Sequence, residues 1–171
     1  MTVVLRPART SDVALIRRLI DLYAHQGILL DKPTVTLYED VQEFVIAEVD
    51  GDAVGCGALH VLWSDLAEIR TLAVDPNCRR HGVGHALLEA LLERARAVGV
   101  SRLFCLTFEV AFFEAHGFKP FTAQAVEPGV YDELLRSYDE GVAEFLGLEH
   151  VKPNILGNTR MLLELGPPPL S

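Results

Sequence analysis

The feature that most constrains the fold is a short apolar strand that leads through a glycine-bearing loop into a long amphipathic helix. The strand covers residues 68–74, the loop covers residues 75–84, and Gly99 is a natural stop for the helix. The helix carries apolar residues at helical spacing, namely Val83, Leu87, Leu88, Leu91, Leu92, Ala95 and Val98. Such a unit is typical of an anion site, because the first amides of a helix have no intrahelical partner and lie at the positive end of its dipole. A glycine loop of this length also occurs for structural reasons alone.

The loop spacing and the charge balance exclude several classes of partner. Gly82 and Gly84 fit neither the GxxxxGK[ST] nor the GxGxxG pattern, so neither nucleotide hydrolysis nor hydride transfer is indicated. The chain has 15 Lys and Arg against 24 Asp and Glu, which gives a formal net charge of -9. An acidic surface repels polyphosphate, so we expect no general nucleic-acid binding. Any anionic ligand must then be held by a local cluster of amides and basic side chains.

Cysteine usage and hydropathy predict a cytoplasmic protein. Cys56, Cys78 and Cys105 are odd in number and form no CxxC motif, which favours a reducing compartment without disulfides. No apolar run approaches 18 residues, and the N-terminus lacks the basic region and long apolar run of a signal peptide. Four of the histidines share no metal-ligand spacing, so no metal is expected; these are His60, His81, His85 and His116.

The remaining pattern predicts a mixed α/β sheet covered by helices. Strands are expected at residues 3–6, 44–49, 53–63, 102–107 and 160–165, with one more after Gly117-Phe118 and a hairpin turn at Asp50-Gly51-Asp52. Helices are expected from the capping residues 10–12 to Tyr23, near residues 37–44, around Phe112, and from Tyr131 to Leu146. This order favours antiparallel strands first and parallel crossovers later. We expect residues 1–165 to form one domain, with an ordered loop at 152–158, and residues 166–171 to form a proline-rich tail.

Three consecutive motifs resemble the half of the GNAT acetyltransferase superfamily that binds acetyl-CoA. They are Glu68-Ile-Arg-Thr-Leu-Ala-Val-Asp-Pro, then Arg79-x-x-Gly82-x-Gly84, then Phe112-Phe-Glu-Ala-His-Gly-Phe118. The resemblance implies a GNAT-like central mixed sheet flanked by helices, in which the loop amides hold the pyrophosphate and the preceding strand binds the pantetheine arm. The cofactor residues that it implies are Leu72, Ala73, Val74, Arg79, Arg80, His81, Gly82, Val83, Gly84, His85 and Phe113. The side chains of Arg79 and Arg80 add charge to this site or are ordinary surface arginines.

Four shorter segments are similar to the short, single-domain form of N-acetylglutamate synthase. They are Gly27-Ile-Leu-Leu-x-Lys32, Gly55-Cys-Gly-Ala-Leu59, Ala67-Glu-Ile-Arg-Thr-Leu-Ala-Val74 and Leu103-Phe-Cys-Leu-Thr107. The similarity covers residues 3–121 well and the C-terminal third loosely. It implies acetylation of the α-amine of L-glutamate, or also L-glutamine, as the first step of arginine biosynthesis. A homodimer is expected from the sheet edges and the C-terminal helix.

Amine acetylation needs a deprotonated amine, an oxyanion donor and a proton for the departing thiolate. The resemblance places Glu68 at the position of a general base, although the same carboxylate also fits pairing with Arg70 or a strand cap. It implies an oxyanion donor among the backbone amides of residues 72–74. Phe113 stands where the family usually has a tyrosine that acts as the acid, so Thr107 is the expected proton donor or relay. Thr107 also fits a purely structural role, in which its hydroxyl bonds only the backbone. The thiolate can also take its proton from solvent.

A glutamate substrate carries two carboxylates, which require basic groups in fixed geometry. The resemblance implies Lys32, Lys152 and Arg160 as cations for them, and Arg70 is the fourth candidate because strand alternation turns it towards the face of Glu68. Each of these alone also fits an ordinary surface charge.

Two other functions remain open from the sequence. One is acetyl transfer to another amino acid, a peptide N-terminus or a cationic small molecule. The acidic surface would attract a cationic acceptor, but the pocket for such an acceptor should contain clustered Asp and Glu. The other is a catalytically weak acyl-CoA sensor, suggested by Phe113.

Overall fold

The computed structural model of the chain describes residues 1–29, 31–121, 126–146 and 158–167. Its strands are β1 (Val3–Pro7), β2 (Phe44–Val49), β3 (Asp52–Trp63), β4 (Leu66–Val74), β5 (Arg102–Thr107), β6 (Lys119–Pro120) and β7 (Thr159–Glu164). Its helices are α1 (Val13–His25), α2 (Thr34–Glu39), α3 (Val83–Val98), α4 (Val110–Glu114), α5 (Pro128–Leu134) and α6 (Glu140–Leu146).

The seven strands form one mixed sheet in the order β1-β2-β3-β4-β5-β7-β6, which confirms the predicted α/β class. Strands β1, β2 and β3 are neighbours in antiparallel pairs, as expected for the first part of the chain. The expected parallel crossover is β4–α3–β5. The next long strand differs from the expectation, because β7 returns antiparallel to β5 over six residue pairs.

By its contacts the chain divides into two compact units, which we describe separately. The first unit comprises Met1–His60 and Ile69–Val98, and the second comprises Val61–Glu68 and Gly99–Ser171. The single domain expected over residues 1–165 stays a prediction.

The core of the first unit joins α1 and α2 to β2 and β3. Its buried members are Val13, Ile16, Leu19, Ile20, Tyr23, Leu37, Phe44, Ile46, Cys56, Ala58 and Ala73. The α1 members recur every three or four residues, so one face of that helix is apolar and packs on the strands. Burial raises the pKa of the Cys56 thiol to about 12, which agrees with an inert core cysteine.

A half-buried ion pair fixes the start of α1 to β1. The Arg6 guanidinium donates to both Asp12 oxygens at 2.7 and 2.8 Å and to Glu48 Oε1 at 2.6 Å. Asp12 also accepts the Arg9 amide at 2.7 Å, closing a 3-10 turn over residues 10–12. These bonds, led by that of Arg6, hold the pKa of the Asp12 carboxyl below its usual value. The predicted capping segment is therefore also a tertiary anchor.

The core of the second unit is built on the aromatic ring of Phe104 in β5. This ring packs edge-on against Phe121 and Phe145, with centroids 5.7 and 5.8 Å apart. Leu66, Leu134, Val142 and Leu146 complete the buried part of the cluster. Helices α5 and α6 therefore attach to the sheet through apolar side chains.

The long helix predicted from Tyr131 to Leu146 is wrong, because two short helices cover this stretch. Asp139 lies between α5 and α6. Its Oδ1 accepts the amides of Gly141 and Val142 at 2.8 and 3.3 Å, and its backbone amide donates to Ser137 Oγ. An aspartate in this role is a strong helix N-cap, so a new helix begins after it.

The described part of the chain contains no helix that is both long and apolar enough to cross a bilayer.

Candidate active site

The loop before α3 has the backbone shape of an anion-binding nest. Arg80 and Gly82 both have φ of +74°, and α3 begins at the next residue, Val83. The first hydrogen bond of the helix runs from the Ala86 amide to the Gly82 carbonyl at 2.9 Å. The amides before Ala86 therefore have no partner within the helix, and left-handed residues turn successive amides towards one concavity. The predicted phosphate loop has a geometry suited to phosphate.

The loop is tied to the body of the first unit at its start. The Asp75 amide donates to the Val54 carbonyl at 2.7 Å, and Asp75 Oδ1 accepts the Asn77 amide at 3.0 Å. Arg18 on α1 reaches Asp75 Oδ2 at 3.1 Å. The Asn77 amide, and next the Arg18 guanidinium, lower the pKa of the Asp75 carboxyl. Asp75 thus stays charged and holds the turn that leads into the loop.

Solvent exposure shows which loop residues could contact a ligand with their side chains and which only with their backbone. The side chains of Arg79, Arg80, His81 and His85 are exposed, as a ligand-binding role requires. Val83 is 1% exposed and packs inwards, so its backbone amide is the part that could meet a ligand. Gly84 lies in the first turn of α3.

The strand segment before the loop carries local strain. Thr71 has φ of +55° and is 9% exposed, which is unusual for a β-branched residue inside a strand. A left-handed residue inside a strand is a form of local backbone strain, which is often found at functional sites. Thr71 immediately precedes Leu72, Ala73 and Val74, the residues expected to supply a backbone donor and to bind pantetheine.

Two glycines of β3 allow this strained segment to pack closely. A Cβ atom on Gly55 would lie 3.2 Å from the Ala73 carbonyl oxygen, and one on Gly57 would lie 2.9 Å from Leu72 Cδ1. A larger residue at position 55 would press on the backbone of β4, and one at position 57 would displace the side chain of Leu72. The Gly55-Cys-Gly57 segment therefore fixes the position of residues 72 and 73.

Lys32 and Arg70 lie within electrostatic range of the same carboxylate, Asp40. Burial raises the pKa of Asp40, Glu43 raises it further, and the nearby charges of Lys32, Arg70 and His60 lower it. The first unit therefore brings two of the predicted substrate cations together, in one mixed cluster with two acids.

Backbone contacts fix the segments that carry this cluster. The Lys32 carbonyl accepts a hydrogen bond from Arg17, which also bonds Asp31 at 2.5 Å. His60 Nδ1 lies 2.7 Å from Glu43 Oε1, and the Glu43 carbonyl accepts Arg94 Nη1 at 3.2 Å. The cluster is therefore held in place from α1, α3 and β3.

Glu68 is 7% exposed and is the last residue of β4 that pairs with β5 in the described register. It lies opposite Phe104. Burial and, after it, the negative charge of Glu68 raise the pKa of the Cys105 thiol well above its usual value. A buried carboxylate at the end of a paired stretch suits proton abstraction, because it is shielded from bulk water.

Strand register decides which candidates in the second unit share the face of Glu68. Glu68 is opposite Phe104, Leu106 is opposite Arg160, and Thr107 is opposite Thr159. Paired residues point to the same face and successive residues alternate, so Arg160 shares the face of Glu68 and Thr107 points to the other. The Thr107 hydroxyl accepts the Glu109 amide at 2.8 Å, which is the strand-end backbone role left open by the sequence.

The predicted residue Phe113 is buried among other aromatic rings. Phe113 is 5% exposed, and its ring packs edge-on against Phe112 and Phe118, with centroids 5.2 and 5.1 Å apart. Its side chain thus serves the core. Lys152 and most of the loop at 152–158 lie outside the described residues. Arg160, with Pro120, Phe121, Asn158 and Thr159, lines an open groove of about 410 Å³.

Sequence reasoning missed the acidic neighbours of the predicted cations. The sequence pattern places Asp40 and Glu43 in a short helical stretch and gives His60 no metal-ligand spacing. Their adjacency follows from the packing of α2 and β3, which one sequence does not reveal. The two acids three residues apart were the available signal.

Comparison with protein families gives one match over most of the chain. The model described as "Acetyltransferase (GNAT) family" matches residues 17–118. An amino-acid acetyltransferase of Mycobacterium tuberculosis is 59% identical over 165 residues, which are 95% of this chain and 94% of that protein.

Two solved structures extend this comparison. The structure of Rv2747 from Mycobacterium tuberculosis, in complex with CoA and NLQ, has a TM-score of 0.90 at 59% identity and covers 95% of this chain and 99% of that one. N-acetylglutamate synthase from Neisseria gonorrhoeae, complexed with coenzyme A and N-acetyl-glutamate, has a TM-score of 0.76 at 28% identity. That match covers 97% of this chain and 36% of the synthase chain.

Proposed function

The chain belongs to the acetyltransferase (GNAT) family, and we propose that it transfers the acetyl group of acetyl-CoA to the α-amine of L-glutamate or L-glutamine. It is an amino-acid acetyltransferase by its relationship to the Mycobacterium tuberculosis protein of that name. The observation that carries the proposal is 59% identity over 95% of the chain, far above the level at which fold alone is shared. In arginine biosynthesis this reaction is the first step, and we assign the chain to it.

The loop geometry supports acetyl-CoA as the co-substrate. A pyrophosphate is a compact double anion, and the left-handed residues Arg80 and Gly82 with the start of α3 present amides suited to it. Related structures were solved with CoA. We place the pantetheine arm along Leu72, Ala73 and Val74, directly after the left-handed residue Thr71.

The chemical step needs a base and no change of oxidation state. The amine nitrogen attacks the thioester carbonyl carbon, a tetrahedral oxyanion forms, and the C–S bond breaks to release the CoA thiolate. Glu68 accepts the amine proton, directly or through water. A backbone amide of residues 72–74 stabilises the oxyanion. The thiolate takes a proton from Thr107 or from solvent, and the register that turns Thr107 to the opposite face from Glu68 favours solvent.

The acceptor is supported by the placement of basic residues. Lys32 and Arg70 meet in one cluster of the first unit, and Arg160 shares the Glu68 face of the second. We propose Lys32, Arg70, Arg160 and Lys152 as the cations that bind the substrate carboxylates. A carboxylate binds best where fixed cations already lie.

One observation favours a second acceptor class. Asp40 and Glu43 stand in the same cluster as Lys32 and Arg70, which reduces its net positive charge. A pocket of this mixed character also fits a cationic amine. An acyl-CoA sensor without turnover is the third alternative.

The test follows release of free CoA thiol from acetyl-CoA with a panel of amino acids and amines. We expect saturable release with glutamate or glutamine. Glu68→Gln should lower kcat about 100-fold, as expected for loss of a general base. Glu164→Gln makes the same change at an exposed residue of β7 and should leave kcat unchanged.

Other outcomes would redirect the proposal. Release with cationic amines alone would move the acceptor to the second class, and CoA binding without release would favour the sensor. Lys32→Ala should raise KM for glutamate about tenfold with little change in kcat, as expected for loss of a charge-assisted contact. The homodimer and the cytoplasmic location stay predictions.

A further inference from the structure

The hydroxyl of Tyr23 links two parts of the candidate cofactor loop. Tyr23 lies near the end of α1 and is 4% exposed. Its hydroxyl donates to the Val74 carbonyl at 2.5 Å and accepts Arg79 Nη2 at 3.0 Å. A tyrosine hydroxyl has one proton, so the proton serves Val74 and the lone pair serves Arg79.

The ring of Tyr23 makes a second contact with Arg79. The guanidinium carbon lies 5.4 Å from the ring centroid, within the range of a cation–π interaction. Arg79 is an exposed residue of a loop, and an exposed arginine normally samples many rotamers. Here a buried aromatic residue fixes the guanidinium through its face and its hydroxyl.

Fixing a cation before binding lowers the entropy lost when an anion arrives. Arg79 is the first residue of the Arg79-x-x-Gly82-x-Gly84 motif, directly before the left-handed Arg80. A guanidinium has five N–H donors, so one bond to Tyr23 leaves it suited to a second acceptor such as phosphate.

We propose that Tyr23 is a positioning residue that orders Arg79 and the end of β4 for the phosphate groups of the coenzyme. This inference rests on the proposed function, because it takes the loop to be the coenzyme site. It assigns a binding role to a residue whose place in the apolar stripe of α1 indicates only packing.

The test is a double-mutant cycle on CoA binding, measured by calorimetric titration with the full chain. Arg79→Gln removes the cation and should raise Kd about tenfold, and Tyr23→Phe keeps the ring and should raise Kd about fivefold. In the Arg79→Gln background, Tyr23→Phe should have little further effect, because the two residues act as a unit. Arg96→Gln makes the same charge change on α3 and should leave Kd nearly unchanged.

A salt series distinguishes positioning from general loss of structure. The dependence of Kd on salt should become shallower in Arg79→Gln and in Tyr23→Phe, because both weaken the same ionic contact. A purely structural role of Tyr23 would lower the melting temperature but leave the salt dependence as in the parent. Arg79→Gln alters an exposed side chain, so it tests the proposal even if Tyr23→Phe folds poorly.

The outcomes separate this inference from the proposed function. An unchanged Kd in either single variant, or additive effects in the cycle, would overturn the role of Tyr23. If the parent fails to bind CoA, both proposals fall. If it binds CoA with the predicted coupling but releases no thiol with any acceptor, the role of Tyr23 stands and the proposed reaction falls.

Discussion

Replacing Gly82 with alanine should weaken CoA binding through backbone strain alone. Gly82 has φ of +74°, and a Cβ atom built on it meets nothing within 4 Å. The cost is therefore conformational rather than steric. A left-handed conformation costs a non-glycine residue about 1–2 kcal/mol. If the free loop of the variant relaxes out of the left-handed conformation, CoA binding must drive the loop back into that conformation. The Kd for CoA should then rise about 5- to 30-fold.

Gly51 offers a matched control in the β2–β3 hairpin. It has φ of +91°, and a Cβ atom there also meets nothing within 4 Å. Gly51→Ala should therefore lose a similar free energy of unfolding, with a fall in melting temperature of about 2–4 °C per kcal/mol. Its affinity for CoA should stay at the parent value, because the hairpin turn is not part of the candidate loop.

Calorimetric titration with CoA and scanning calorimetry of the parent and both variants check this reasoning. A Gly82→Ala protein that binds CoA as tightly as the parent would refute the assignment of the left-handed loop to phosphate. An equal loss of affinity in Gly51→Ala would show that general destabilisation, and not loop shape, controls binding.

Two further changes test the packing and charge of each unit. Asp12→Asn should cost about 2 kcal/mol at pH 7 by weakening the charge-assisted hydrogen bonds with the half-buried Arg6. Because folding lowers the pKa of Asp12, the stabilising effect of its carboxylate is fully present above the usual value of 3.8 and is lost as pH falls through the folded value. Urea midpoints of parent and variant should therefore converge as the pH falls below 3.8, and a constant difference would contradict this sign. Phe104→Ala should cost about 3–5 kcal/mol, since the ring is 0% exposed and contacts two other rings. Tyr138→Ala changes a fully exposed side chain and is the control in the same urea unfolding measurement. An equal loss of free energy of unfolding in both variants would show that the core of the second unit is not built on Phe104.

Local pattern was enough to predict most elements of the sheet. The hairpin at Asp50-Gly51 has both residues at positive φ, as the turn residues indicate. The apolar stripe beginning at Val83 predicts α3 over the bounds observed. Prediction failed near Asp139, because apolar spacing alone continues one helix across a residue that in fact caps a new one. The capping signal was present in the sequence, but it competed with a longer periodic pattern.

The candidate site was predictable where function depends on consecutive residues. The phosphate loop lies in one stretch, so its glycines and the start of the helix appear together in the sequence. Lys32, Asp40 and Arg70 meet through the packing of separate elements, and nothing in their spacing predicts the shared cluster. The face of Thr107 depends on strand register, which the sequence leaves open.

The sequence by itself determined the family, the mixed sheet and the loop, because these follow from local periodicity, turn chemistry and contiguous motifs. Tertiary structure alone decided that Tyr23 holds Arg79 and that Asp40 lies near the predicted substrate cations Lys32 and Arg70. The reason is physical: a hydrogen bond or an ion pair acts over a few ångströms in space, and residues 56 positions apart reach that distance only through the packing of helix on sheet.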